Sequence, residues 1–176
     1  MRKLAVALFL TGALLLGQAS ARAADTDASA IASFLSLGLA NAPTRFAALT
    51  GAADGFQSNK ATQSPDRTRF VKCEVYHGKA MPAVGLTAYD SYACFSTLRA
   101  DASEALFKMA EAVVQANLPA GYTSTGEQVH PPGQPFNIYE VWSRSGSPDV
   151  KLWSTVNQGA ENFGKTDYEL AVYVGP

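Results

Sequence analysis

The chain contains only two cysteines, Cys73 and Cys94, and each lies in a short segment rich in β-branched and aromatic residues. The segments run from Phe70 to Tyr76 and from Tyr89 to Phe95. They are separated by GKAMPAVG, which has the glycine and proline residues typical of a connection between strands. An antiparallel pair with Cys73 opposite Cys94 brings the two sulfurs together, so we predict a disulfide between them.

The same register places Val75 opposite Tyr92 on the face that carries both cysteines. Closing a loop of about 20 residues stabilises a fold by roughly 3 kcal/mol in the chain-entropy model. Metal binding is a weaker interpretation, because Cys73 and His77 are about 13 Å apart along a strand that rises about 3.3 Å per residue. We predict no metal site and no cofactor.

The amino terminus has the pattern of a secretory signal peptide. Arg2 and Lys3 precede an apolar run of 14 residues that ends at Gly17, and alanines flank Arg22. A membrane-spanning helix needs about 20 apolar residues, so a stable membrane anchor is not expected. We predict cleavage after Ala23, with Ala21 as the second choice, and a periplasmic or secreted protein.

Residues 1–23 are thus the predicted signal peptide, and residues 24–176 are predicted to form one domain. Cleavage removes three basic residues, which leaves 11 basic against 15 acidic residues and a formal charge of −4. The remaining basic residues are scattered along the chain. This composition argues against nucleic-acid binding.

Two segments have the apolar spacing of amphipathic helices. The first follows a cap at Asp27 or Ser29 and ends before Pro43, and a second short helix, RFAAL, is expected after Thr44. The clearest helix follows Asp101 and Glu104, which form a capping-box pattern. Its predicted apolar stripe contains Ala102, Ala105, Leu106, Met109, Ala110 and Val113.

The polar segment 52–66 and the proline-rich segment 121–135 are predicted to be loops. FNIYEVWSRS, PDVKLWSTV and DYELAVYV have the composition of three strands. The order α-β-β-α-β-β-β predicts an α+β fold, in which helices pack on one face of an antiparallel sheet of about five strands.

The strand pair around the turn SGSP suggests a binding surface. If Ser143 lies opposite Val150, Trp142 faces Lys151 and Glu140 faces Trp153 on one face. Two tryptophans among charges are typical of a surface that meets a partner, so Trp142, Trp153, Glu140 and Lys151 are the predicted binding residues. A slip of one residue would exchange the faces, and a structural role for the tryptophans stays open.

Sequence motifs of the common enzyme classes are missing, which leads us to predict no catalytic residues. The chain has no Gly-x-Ser-x-Gly elbow, no phosphate-binding glycine loop and no His-Glu-x-x-His. Catalysis that uses histidine would depend on His77 or His130.

FAALTG, the cysteine strand pair, the helix ending in NLPAGY, and YELAVYV resemble small exported bacterial proteins of unknown function. The resemblance implies an exported α+β domain and assigns no functional residue. The order of elements also allows a cone-shaped sheet with a pocket, as in nuclear-transport-factor-like domains.

The leading functional hypothesis is a non-catalytic binding protein that recognises another envelope or secreted protein, as an inhibitor or immunity protein does. Two alternatives are a small-molecule carrier with an aromatic pocket and a hydrolase without a recognisable motif.

Overall fold

A computed structural model describes residues 27–55, 57–80, 87–96, 104–126, 128–129, 138–154 and 168–175. The predicted signal peptide, His130, Asp101 and the segment NQGAENFGKT lie outside these residues. Within these ranges the structure has two α-helices, α1 over residues 27–41 and α2 over Glu104–Asn117. The strands are β1 (Thr50–Gly55), β2 (Ser58–Ala61), β3 (Phe70–Gly78), β4 (Tyr89–Ser96), β5 (Thr123–Ser124), β6 (Gln128–Val129), β7 (Ile138–Ser143), β8 (Asp149–Ser154) and β9 (Tyr168–Val174).

All strand pairs are antiparallel, and they form one sheet in the order β1-β2-β3-β4-β9-β8-β7-β5, with β6 also paired to β7. The α+β class is therefore confirmed. The sheet is larger than the five strands expected, because β1, β2, β5 and β6 arise from segments predicted to be loops. These strands lie towards the two ends of the sheet, where side chains need not be apolar to keep a strand in place.

The cysteine strand pair has the predicted register. Cys73 lies opposite Cys94 and Val75 lies opposite Tyr92. The two cysteines form a disulfide with an S–S distance of 2.03 Å. The disulfide prediction is confirmed.

The register of β7 and β8 differs from the prediction by one residue. Trp142 lies opposite Val150, and Tyr139 lies opposite Trp153. The loop between the strands closes early, because the amide of Ser147 donates to the carbonyl of Arg144 and Gly146 adopts a φ of 69°. Glycine enters this left-handed region without steric cost, so the turn shortens the connection.

One face of the sheet, the core face, carries the apolar residues and supports both helices. A row of fully buried side chains crosses five strands: Val75, Tyr92, Val172, Val150 and Trp142. Helix α1 packs closely against this row at Gly38, where an added Cβ would lie 2.6 Å from Cγ2 of Val172. Of the five residues at helical spacing that predict α1, Ile31, Phe34, Leu35 and Gly38 are buried, and Leu39 is half-buried against the core.

Helix α2 buries only part of the predicted stripe. Among its described side chains, Phe107, Ala110 and Val114 are buried, whereas Leu106 is only half-buried. Ala102 and the side chain of Ala105 lie outside the described part. Met109 and Val113 pack against the edge of the core. The helix is rotated so that its aromatic residue reaches the core, which buries more apolar area than a leucine would.

The short helix predicted in RFAAL is replaced by two 3-10 turns, at Ala42–Thr44 and Ala47–Leu49. Arg45 and Phe46 join them with φ values of 51° and 62°. This double reversal buries Phe46 completely while it leaves Arg45 partly exposed. Among the described residues, no helix has the length and hydropathy needed to cross a membrane.

Candidate functional site

The four predicted binding residues do not share one face. The observed register puts Lys151 and Trp153 on the face opposite the helices, while Glu140 and Trp142 lie on the core face. The predicted surface that contained both tryptophans is therefore wrong. The slip of one residue exchanged the faces of β7 relative to β8, because successive side chains of a strand point to opposite sides.

Trp142 and Glu140 are parts of the interior. Trp142 is fully buried, and its Nε1 donates to Oε1 of Gln115 on α2 at 2.8 Å. Glu140 is also buried, and Oγ of Ser124 donates to its Oε1. Burial is the main cause that raises the pKa of Glu140, and the neighbouring carboxyl of Glu111 raises it further.

The outer face is the side of the sheet that points away from the helices. Its side chains form three rows across the strands, and both flanking rows contain aromatic residues. The middle row contains Glu74, Ala93, Ala171, Lys151 and Val141. The flanking rows contain Lys72, Phe95, Glu169, Trp153 and Tyr139 on one side, and Tyr76, Ser91, Tyr173 and Asp149 on the other.

The aromatic side chains of the outer face contact one another and one cation. Tyr89 stacks on Tyr173 with ring centroids 4.8 Å apart, and Nζ of Lys151 lies 3.9 Å from the Tyr173 centroid. Tyr139 and Trp153 are in tilted contact at 6.4 Å. Trp153 still exposes 42% of its surface, so it is available to a partner.

Carboxyl groups are held at the β3 side of this face. Glu74 is buried, and it accepts hydrogen bonds from the Tyr76 hydroxyl at 2.6 Å and from Nζ of Lys72 at 2.8 Å. Burial raises the pKa of Glu169 to about 7, and the charge of Glu74 contributes. The outer face therefore combines an aromatic surface with two carboxyl groups, of which Glu74 is bound by Lys72 and Glu169 has a raised pKa.

Of the outer face, only Lys151 and Trp153 were predicted from the sequence as binding residues. The missed aromatic residues are Tyr76, Tyr89, Phe95, Tyr139 and Tyr173. The alternation in YELAVYV could have predicted part of this face. Glu169, Ala171 and Tyr173 alternate with Leu170 and Val172, which are buried. Such an alternation marks a strand with two different faces.

A second polar cluster gathers around His77, which the sequence analysis singled out. Nδ1 of His77 lies 2.5 Å from Oδ1 of Asp90, and Nε2 lies 3.4 Å from Oγ1 of Thr50. Nε of Arg45 donates to the other carboxylate oxygen of Asp90. His130 lies outside the described residues, so its position relative to this cluster is not assigned.

No protein-family model matches the chain, and no curated protein or solved structure matches it significantly. Within the described ranges, no three His, Cys, Asp or Glu side chains come together as possible metal ligands. The site is therefore assigned from its own geometry.

Proposed function

We propose that the chain is an exported binding protein and that its outer face recognises another envelope or secreted protein. The observation that carries this proposal is the exposure of Trp153 within an aromatic surface that also bears Lys151 and Glu169. Aromatic residues with a polar surround are the composition of interface centres. The outer face requires no catalytic group for this role.

The contacts within the outer face favour binding because they hold its side chains in place before a partner arrives. The ammonium group of Lys151 lies over the ring of Tyr173, and the hydroxyl of Tyr76 donates a hydrogen bond to Glu74. Side chains that are already ordered lose less conformational entropy on association. A tryptophan in such a surface is a typical centre of binding energy.

The charges of the outer face favour a partner that presents a basic side chain beside apolar surface. Burial and the charge of Glu74 raise the pKa of Glu169, and a lysine or arginine from the partner would favour the charged form of Glu169. The predicted mature chain also has an excess of acidic residues. Together these features support a cationic protein as the partner.

Export to an oxidising compartment is supported by two features of the chain. The amino-terminal sequence has the pattern of a signal peptide. The disulfide between Cys73 and Cys94 is of the kind that persists outside the cytosol.

The proposal is tested with wild-type and Trp153→Ala baits against the envelope and secreted fractions of the source organism. A protein retained by the wild type is isolated and titrated with both variants by calorimetry. We expect Trp153→Ala to weaken the dissociation constant at least about tenfold.

Val71→Ala is the matched control, since Val71 is the other exposed large apolar side chain among the described residues and is absent from the three outer-face rows. It should bind the isolated protein as the wild type does. Equal affinity of the wild type and Trp153→Ala would contradict the proposal. Retention of a small molecule instead of a protein would favour the carrier hypothesis.

A further inference from the structure

Thr50, His77 and Asp90 meet in space although they lie on three different strands. The imidazole of His77 is between the other two, with Nδ1 at 2.5 Å from Oδ1 of Asp90 and Nε2 at 3.4 Å from Oγ1 of Thr50. A hydroxyl, an imidazole and a carboxylate in this sequence of contacts are the parts of an activated nucleophile.

The contact with Asp90 determines which nitrogen of His77 carries the proton. A carboxylate only accepts hydrogen bonds, so in the neutral imidazole Nδ1 carries the hydrogen and Nε2 carries the lone pair. The contact with Thr50 then requires its hydroxyl to donate. That hydroxyl also lies 3.0 Å from the carbonyl oxygen of Phe46. Rotation about the C–O bond of Thr50 therefore directs the hydroxyl hydrogen either to Phe46 or to His77.

The surrounding structure fixes the carboxylate and the imidazole. Asp90 and His77 form a cross-strand pair of β3 and β4, and Arg45 binds the second oxygen of Asp90. The backbone amide of His77 donates to the carbonyl of Gln57 at 2.9 Å. The carboxylate of Asp90 is thus bound from two sides, and the backbone that carries His77 is tied to the chain at Gln57. These contacts keep the imidazole beside Asp90, as proton transfer requires.

Thr50 begins β1 beside an irregularity of the strand. The register pairs Thr50 with Ala61 and Ala53 with Asn59, so β1 has one more residue than β2 over this interval. Such a bulge redirects neighbouring side chains, and bulges are common beside active sites. A second register shift follows between Ala53 and Gly55, so the pairing of β1 with β2 is irregular over most of β1.

We propose that Thr50 is the nucleophile of an acyl-transfer site that hydrolyses small carboxylic esters, with His77 as general base and Asp90 as the residue that orients it. This activity goes beyond the proposed binding function and is independent of the outer face.

Oγ1 of Thr50 attacks the ester carbonyl carbon, and its proton passes to Nε2 of His77. The tetrahedral adduct collapses with cleavage of the bond to the alkoxy oxygen, which takes the proton from His77. Water then attacks the acyl group on Thr50, and His77 accepts a proton from the water and returns it to Oγ1. The products are a carboxylic acid and an alcohol, and no oxidant or reductant is consumed.

A groove beside His77 bears on the substrate class. Its volume is about 500 Å³, and its described lining consists of His77 together with Ala53, Gly55, Gln57, Ser58, Asn59 and Lys79. Thr50 is not among these lining residues, so an acyl group must extend from the groove past the His77 ring to reach the Thr50 hydroxyl. Small esters are therefore the expected substrates.

The test measures hydrolysis of p-nitrophenyl acetate by the wild type and by Thr50→Val, which keeps the shape of the side chain and removes the hydroxyl. We expect the rate above buffer to fall at least about 100-fold in Thr50→Val and in His77→Gln. Mass spectrometry of an acid-quenched wild-type reaction should find acetyl on the peptide that contains Thr50.

Thr62→Val is the matched control, because the hydroxyl of Thr62 likewise donates to a backbone carbonyl, that of Ala48. It should keep the wild-type rate. Thr50→Ser should also retain hydrolysis, which distinguishes loss of the nucleophile from loss of the fold. A wild-type rate no greater than buffer would overturn the proposal, and so would full activity of Thr50→Val.

If His77→Gln lost hydrolysis while Thr50→Val kept it, the role of Thr50 would also be overturned. The activity would then be the slow hydrolysis of activated esters by a histidine that acts without Thr50. Neither result depends on whether Trp153 binds a partner. The two proposals can therefore fail separately.

Discussion

The two faces of the sheet each carry one tryptophan, and the neighbours of the tryptophans differ. Trp142 lies among apolar side chains under α2 and has its indole nitrogen bonded to Gln115. Trp153 lies between Tyr139 and Glu169 and remains 42% exposed. The same residue type therefore stabilises the fold on one face and is available for recognition on the other.

The hydrogen-bond partners of the carboxyl groups also differ between the two faces. On the core face, Glu140 accepts a hydrogen bond from Ser124, and its pKa is raised mainly by burial. On the outer face, Glu74 has a tyrosine and a lysine as hydrogen-bond donors. Both carboxyl groups are buried, but Glu74 is bound by a cation, Lys72, whereas Glu140 accepts from a neutral hydroxyl.

The largest expected effect is the loss of stability when Trp142, and not Trp153, is replaced by alanine. Trp142→Ala should lower the free energy of unfolding by about 3–5 kcal/mol, because it leaves a cavity in the core and removes the partner of Gln115. Trp153→Ala should change it by less than about 1 kcal/mol, because much of that side chain is already in water. Urea unfolding of both variants measures the difference. Equal losses of unfolding free energy would contradict the assignment of the two tryptophans to different environments.

A second effect comes from the disulfide, which lies on the core face. Replacing Cys73 and Cys94 together by alanine should lower the free energy of unfolding by roughly 3 kcal/mol, since the closed loop joins cysteines 21 residues apart. The outer face should keep its structure, so partner binding by the folded double variant should match the wild type. Weaker binding by the folded double variant would show that the faces are coupled.

The smallest expected effect is the pH dependence contributed by Glu169. Its pKa rises from 4.5 to about 7 on folding, so the folded state binds the proton more tightly. The associated stability is present in full below the unfolded pKa and is lost as the pH rises through 7.

Glu169→Gln cannot lose this proton. We therefore expect its unfolding free energy to fall less than that of the wild type between about pH 5 and about pH 8. Urea unfolding at the two pH values measures this difference. An equal loss in both proteins would show that the outer face does not disfavour the charged form of Glu169.

Part of the fold could be predicted from local patterns. The helical face of α1 was predicted correctly, because its apolar residues recur at helical spacing and its glycine permits a close approach to the sheet. The stripe of α2 was less accurate, since both Leu106 and Phe107 are apolar and only packing against the sheet decides which is buried. The polar strands β1 and β2 were missed because their residues resemble a loop.

The chain by itself determined the partner of each cysteine and the register of β3 and β4, because two cysteines in one pair of strand-like segments allow only one compact pairing. The tertiary structure alone decided the faces of the two tryptophans, since either register of β7 and β8 gives an alternating strand. It also brought Thr50 to His77 and Asp90. Contacts between residues far apart in the chain leave no periodic signal, so they emerge only when the strands are placed side by side.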